Sequence, residues 1–203
     1  MEPSESGEWL TTSTVLQRLA NFSDDEAWRS FSERFWAPIE KFARRQGLAQ
    51  SDAEDVAQES LLAFAQAYRE GQYDRTQGRL SKWLFGIAWR RIDHVRRKRY
   101  RAVTERPVAE DASQFWAEVP DDNAASQAWD EVWERALFEQ ALRRLREEVQ
   151  PSTFRVFEVL VLEKRSVEEA VAEIGLTRNA VYVAKHRVLS RLRTLMVESD
   201  GVQ

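Results

Sequence analysis

Apolar residues recur at helical spacing along nearly the whole chain, and most fully in RLSKWLFGIAWRRIDHVRRKRYR, residues 79–101. Leu80, Trp83, Leu84, Ile87, Ala88, Ile92 and Val95 follow the spacing of one buried helical stripe, where a half-buried strand would alternate. Phe85 and Trp89 stand one turn apart on a different face, and the stretch runs out into Arg96, Arg97, Lys98, Arg99 and Arg101. A helix that buries one side and offers aromatic rings and guanidinium groups on another suits phosphates and unstacked bases. A solvated basic helix whose two extra aromatics belong to a core is the competing reading.

The same period predicts helices on both sides of it. Thr11–Ala20 reads as a short amphipathic helix through Val15, Leu16 and Leu19. Ser23 with Glu26 and Ser51 with Glu54 have the S-x-x-E form of a capping box, predicting two further helix starts. The first of these helices carries Trp28, Phe31, Phe35, Trp36, Ile39 and Phe42 and should kink or break at Pro38. The second buries Val56, Ala57, Leu61, Phe64 and Tyr68, and turns Asp52, Asp55 and Glu59 outward on one face. That acidic face is either plain solvated surface or a contact for a basic partner. With only 7 Gly and 5 Pro in 203 residues, tight turns are few. The expected fold is all-α, with two small helical domains.

Charge is segregated along the chain. Residues 79–101 hold nine Lys or Arg against the single Asp93, whereas residues 103–134 hold nine acids against the single Arg106. Such blocks carry more information than the net charge of −4. Residues 102–127, with Pro107 and Pro120 and no sustained period, read as an acidic linker in which Phe115 and Trp116 bring local order. It separates a helical domain at 23–101, preceded by an N-terminal extension at 1–22, from a second helical domain at 128–203.

In that second domain, Trp129, Val132, Trp133, Ala136, Leu137, Leu142 and Leu145 predict the first helix of a C-terminal bundle. Pro151 opens another, with Phe154, Phe157, Leu160 and Val161 buried. Ser166 and Glu169 form a third capping box, Gly175 suits a tight turn, and Thr177 is a good N-cap for a last helix. A short helix, a Gly turn and a longer basic helix make a helix-turn-helix. With Val181, Ala184, Val188, Leu192 and Leu195 inward, Arg178, Asn179, Tyr182, Lys185 and His186 face outward, where such helices reach base edges. An ordinary bundle with a charged face is the alternative.

The absence of cysteine excludes disulfides, thiolate metal sites and cysteine nucleophiles. The acidic start MEPSESGEW lacks the apolar core of a signal peptide, and no apolar run approaches membrane-spanning length, so a cytoplasmic protein without membrane insertion is expected. Enzymatic chemistry finds little support. The only histidines, His94 and His186, lie in basic helices, and there is no glycine-rich phosphate loop or nucleophile elbow. No metal and no cofactor is expected.

Three of these segments together resemble a known family, the small bacterial sigma factors of the extracytoplasmic-function (ECF) type, which keep only regions 2 and 4. SDAEDVAQESLLAFAQAY at 51–68 is similar to the family's acidic helix, D-A-E-D-L-V-Q-E-T-F. RLSKWLFGIAWRRIDHVRR at 79–97 is similar to the Trp-Leu-containing helix that follows it, and VEEAVAEIGLTRNAVYVAKHRVLSRLR at 167–193 looks like its terminal helix-turn-helix. The resemblance implies a protein that binds core RNA polymerase and directs promoter recognition and opening. It assigns Asp52, Glu54, Asp55, Gln58 and Glu59 to the polymerase. The minus-ten element falls to the loop at 71–80 and to Phe85, Trp89, Arg90, Arg91, His94, Arg96, Arg97 and Lys98. Thr177, Arg178, Asn179, Tyr182, Lys185, His186 and Arg187 fall to the minus-thirty-five element. Most relatives also have an anti-sigma partner.

Two departures stand out. The Asp of the basic helix comes one position early, at Asp93, which leaves the register beyond Ala88 open by one residue, about 100° of helix rotation, and with it which of Arg90, Arg91, His94 and Arg97 face DNA. And Ala180-Val181-Tyr182-Val183-Ala184-Lys185 stands where the family often has T-V-K-S-R-L. The competing function is an autonomous helix-turn-helix regulator, which would bind DNA without polymerase, usually as a dimer on paired half-sites.

Overall fold

The computed structural model describes residues 12–19, 21, 24–73, 78–103 and 123–200, and every regular element among them is helical. These are α1 (Thr12–Leu19), α2 (Asp25–Arg45), α3 (Gln50–Arg69), α4 (Leu80–Val103), α5 (Asn123–Glu148), α6 (Pro151–Phe157), α7 (Val167–Ile174) and α8 (Arg178–Asp200). A π-helical turn, Glu158–Leu162, follows α6. The helices form two compact units, Thr14–Arg135 and the residues from Ala136 onward.

The first unit is built on aromatic rings. Phe31 stacks on Phe64 with centroids 4.4 Å apart, and Trp83 meets Phe64 edge-on at 5.0 Å. Six consecutive α4 residues, 83–88, are buried. A helix is buried all round only where neighbours cover every side, and here α2 and α3 are joined by the first half of α5. Trp129 and Trp133, expected in the C-terminal bundle, belong to this core instead. Trp133 stacks on Phe35 (5.3 Å), while Trp129 meets Phe42 (5.3 Å) and Phe85 (5.9 Å) and donates its indole N–H to Ser81 Oγ (3.0 Å).

Several local expectations change. The N-cap of α2 is Asp24, whose carboxylate accepts the Ala27 N–H at 2.9 Å, and Glu26 pairs with Arg18; Ser23 lies outside the described residues. The Arg18 guanidinium, with the Ala27 N–H, holds the Asp24 carboxyl below its ordinary range. The Ser51 box is absent: the N-cap of α3 is Ala49, two residues earlier, and Glu54 accepts from the Gln50 amide. Pro38 does not end α2, which continues as one element to Arg45. In the N-terminal extension the expected short helix is present as α1, with Leu16 and Leu19 buried and Tyr68 Oη donating to the Leu16 carbonyl at 2.5 Å. Residues 123–127, read as linker, are the first turns of α5; 104–122, with Phe115 and Trp116, lie outside the described residues.

The second unit has two adjoining cores. Ala141, Leu145, Phe154, Phe157, Val188, Leu192 and Leu195 join α5, α6 and α8, and Val156, Val159, Ala170, Val181 and Ala184 hold α7 against α8. Leu160 and Val161, expected to be buried, are only half-buried, because the π-helical turn brings Val159 inward in their place. Ser166 and Glu169 form the reciprocal capping box on α7, and Thr177 Oγ1 accepts the Ala180 N–H at the start of α8.

Gly175 ends α7 at φ +76°, in the left-handed region. A Cβ there would meet no atom within 4 Å, so the cost of Gly175→Ala is confined to the backbone. We expect the variant to lose roughly 1–2 kcal/mol, read as a lower urea midpoint for the second unit. An unchanged midpoint would show that the turn relaxes out of this conformation.

Candidate functional site

Three surfaces carry the residues singled out by sequence. On α3, burial of Ala53, Val56, Ala57, Ser60 and Phe64 turns the opposite side to solvent. Glu54, Asp55, Gln58 and Glu59 are exposed there and Asp52 is half-buried. They are joined by Leu62, 62% exposed and overlooked by the sequence reading, which treats apolar residues as core by default.

The cations of α4 are more committed than their sequence suggests. Arg99 pairs with Asp52, and Arg91 approaches Glu59 at 3.6 Å. Arg97 pairs with Asp93 one turn back at 2.7 Å, the partnership that the early Asp makes. Arg96 donates to the Gln46 carbonyl at 2.5 Å and lies over the Trp89 ring, 5.6 Å from its centroid. His94 and Lys98 are exposed, and Arg90 is half-buried. Part of the acidic face of α3 thus finds its basic partner within the same chain. Exposed pairs of this kind are worth about 0–1 kcal/mol each, so a phosphate can displace them at little cost.

The structure corrects the reading of Phe85. It is 3% exposed and enclosed by Phe42, Trp89 and Trp129, so it offers no face to a base. The reason is the aromatic half of α5, which covers the side of α4 left vacant when that segment is placed in the other domain. Trp89 lies at the edge of the same cluster, half-buried, against Phe42 at 6.4 Å.

On α8 the expected inward line holds: Val181, Ala184, Val188, Leu192 and Leu195 are buried. Thr177, Arg178, Asn179, Tyr182, His186 and Arg187 are exposed, and Lys185 is half-buried on the flank. Arg178 pairs with Glu168 of α7. Further along, Arg191 forks onto Glu148 at 2.6 and 2.9 Å, which holds that carboxyl below its ordinary range. Val183, absent from the sequence-derived set, is 53% exposed between these polar groups. Its only sequence signal was a departure, an apolar residue where the family pattern has a polar one.

Residues 33–101 match the family model for sigma-70 region 2, and so span α3, nearly all of α4 and most of α2. The chain is 32% identical over 163 residues to the ECF RNA polymerase sigma factor SigF of Caulobacter vibrioides, an alignment covering 79% of each chain. It is 24% identical over 196 residues to the ECF RNA polymerase sigma factor RpoE of Cereibacter sphaeroides, covering 96% of this chain and 98% of that one. Helical framework, region 2 match and relatives agree on the class: a sigma factor, acting in transcription initiation. Within that class, the chain belongs to the ECF RNA polymerase sigma factors. No helix among the described residues is long and apolar enough to cross a membrane.

Proposed function

We propose that this sigma factor binds core RNA polymerase through α3 and directs it to a promoter through α4 and α8. The observation that carries the reading is the exposed face of Glu54, Asp55, Gln58 and Glu59, inside the segment that matches sigma-70 region 2. These acids offer acceptors to a basic surface, and Leu62 beside them offers an apolar anchor.

Trp89 with Arg90, Arg91, His94, Arg96, Arg97 and Lys98 serves the minus-ten element. Arg91 and Arg97 exchange internal carboxylates for phosphates, Arg96 exchanges the Gln46 carbonyl, and the exposed edge of Trp89 is available to an unstacked base. A base stacked on an aromatic side chain gains about 1–3 kcal/mol, which offsets part of the cost of unpairing. Thr177, Arg178, Asn179, Tyr182, Lys185, His186 and Arg187 serve the minus-thirty-five element, with the start of α8 in the major groove.

Footprinting on genomic promoter fragments, with and without core polymerase, tests the reading. The net charge of −4 opposes binding of the free chain to DNA. The expected result is a specific footprint and run-off transcript only when core and sigma factor are combined. Protection at micromolar chain or below, unchanged by core polymerase, would instead establish an autonomous regulator.

A further inference from the structure

The inward line of α8 fixes what its opposite side presents. Asn179, Val183, His186 and Ser190, spaced by four, three and four residues, run along the side of the helix opposite the buried Val181 and Val188, and all four are exposed. Val183 is central in this strip and within the first two turns, the part of a recognition helix that contacts base edges. Tyr182, also 53% exposed, and Arg187 flank it, and the shallow groove along this side is lined by Tyr182, Val183, His186, Arg187 and Ser190.

Exposed single valines are common and need no explanation by themselves. This one stands among groups suited to DNA. Residues 176–193 contain no acid, and Glu168, Glu148 and Glu198, which pair with cations of this stretch, are engaged by Arg178 and Arg191. A helix inserted by this side therefore meets phosphates without a repelling charge. What it presents to the bases at position 183 is a side chain with no donor and no acceptor, held by its β-branch largely in one rotamer. The major groove displays a single apolar group, the C5 methyl of thymine. Placed against cytosine, the same side chain would desolvate the N4 donor with nothing to accept from it.

Resting on the reading that α8 enters the groove, we infer that Val183 is a specificity-determining residue that selects thymine at one position of the minus-thirty-five element. Asn179 and Arg187, one turn to either side, have the side chains that pair with adenine and guanine edges, so the apolar contact sits between polar ones.

Deoxyuridine tests this directly, since it pairs as thymine does and lacks only the methyl. Each thymine of the minus-thirty-five element is replaced in turn, and binding by holoenzyme is measured with the native chain and with Val183→Ser. At one position the native holoenzyme should lose about fourfold in affinity, the factor that one buried methyl group is worth. Val183→Ser should be indifferent to the same replacement, and as an exposed change it should leave the melting curve in place. Tolerance of deoxyuridine at every position would overturn the assignment, as would an equal penalty in Val183→Ser. Absence of any protection upstream of the minus-ten element would refute the groove docking itself, and the thymine contact with it.

Discussion

Trp129→Ala should destabilise the first unit by about 3–5 kcal/mol, the range for truncating a large buried aromatic. The indole is 1% exposed, meets Phe42, Phe85 and Trp133, and donates to Ser81 Oγ. Its removal opens a cavity bounded by other helices, which cannot close without moving the rings that fix α4. Against a typical total of about 5–15 kcal/mol, the loss approaches unfolding for this unit. Urea denaturation of the full chain, with Leu145→Ala reporting on the second unit, measures it. Trp129→Ala should lower the transition of the first unit and leave the second, while Leu145→Ala does the reverse. A double-mutant cycle with Phe85→Ala should be non-additive, because the two rings share one cavity. Loss from the second unit alone would mean that Trp129 belongs to the C-terminal bundle after all.

Asp55→Arg should cost transcription far more than stability. Asp55 is exposed on α3, where substitutions normally change folding by less than about 0.5 kcal/mol. At an interface that presents basic groups to this face, reversing the charge places like against like, a penalty of several kcal/mol and so a hundredfold or greater loss of core binding. The melting curve should stay in place while run-off transcription and co-purification with core polymerase collapse. Glu59 is a less clean probe, since Arg91 lies 3.6 Å away and removing the carboxylate would also release that cation. Transcription at native levels from Asp55→Arg would exclude this face as the polymerase contact.

The two predictions draw on different kinds of information. Asp55 was legible from its place in the acidic helix, because the inward spacing of Val56, Ala57 and Phe64 dictates which side of α3 meets water. Trp129 was not. Its spacing with Val132 and Leu137 announced an amphipathic helix, but gave no sign of where that helix would be buried.

By itself the sequence determined the all-α class, the inward line of α8, the Ser166 cap, the Gly175 turn and the segments that match sigma-70 region 2. All of these depend on residues within a few turns of one another, where helical geometry links spacing to orientation. The tertiary structure decided what depends on distant partners. Phe85 lies in the core because α5 covers it, Arg99 and Arg91 reach Asp52 and Glu59 across two helices, and Val183 is left in the open on α8. Helical periodicity tells which side of a segment is apolar; only packing decides which segment covers it and which side chains remain for a partner.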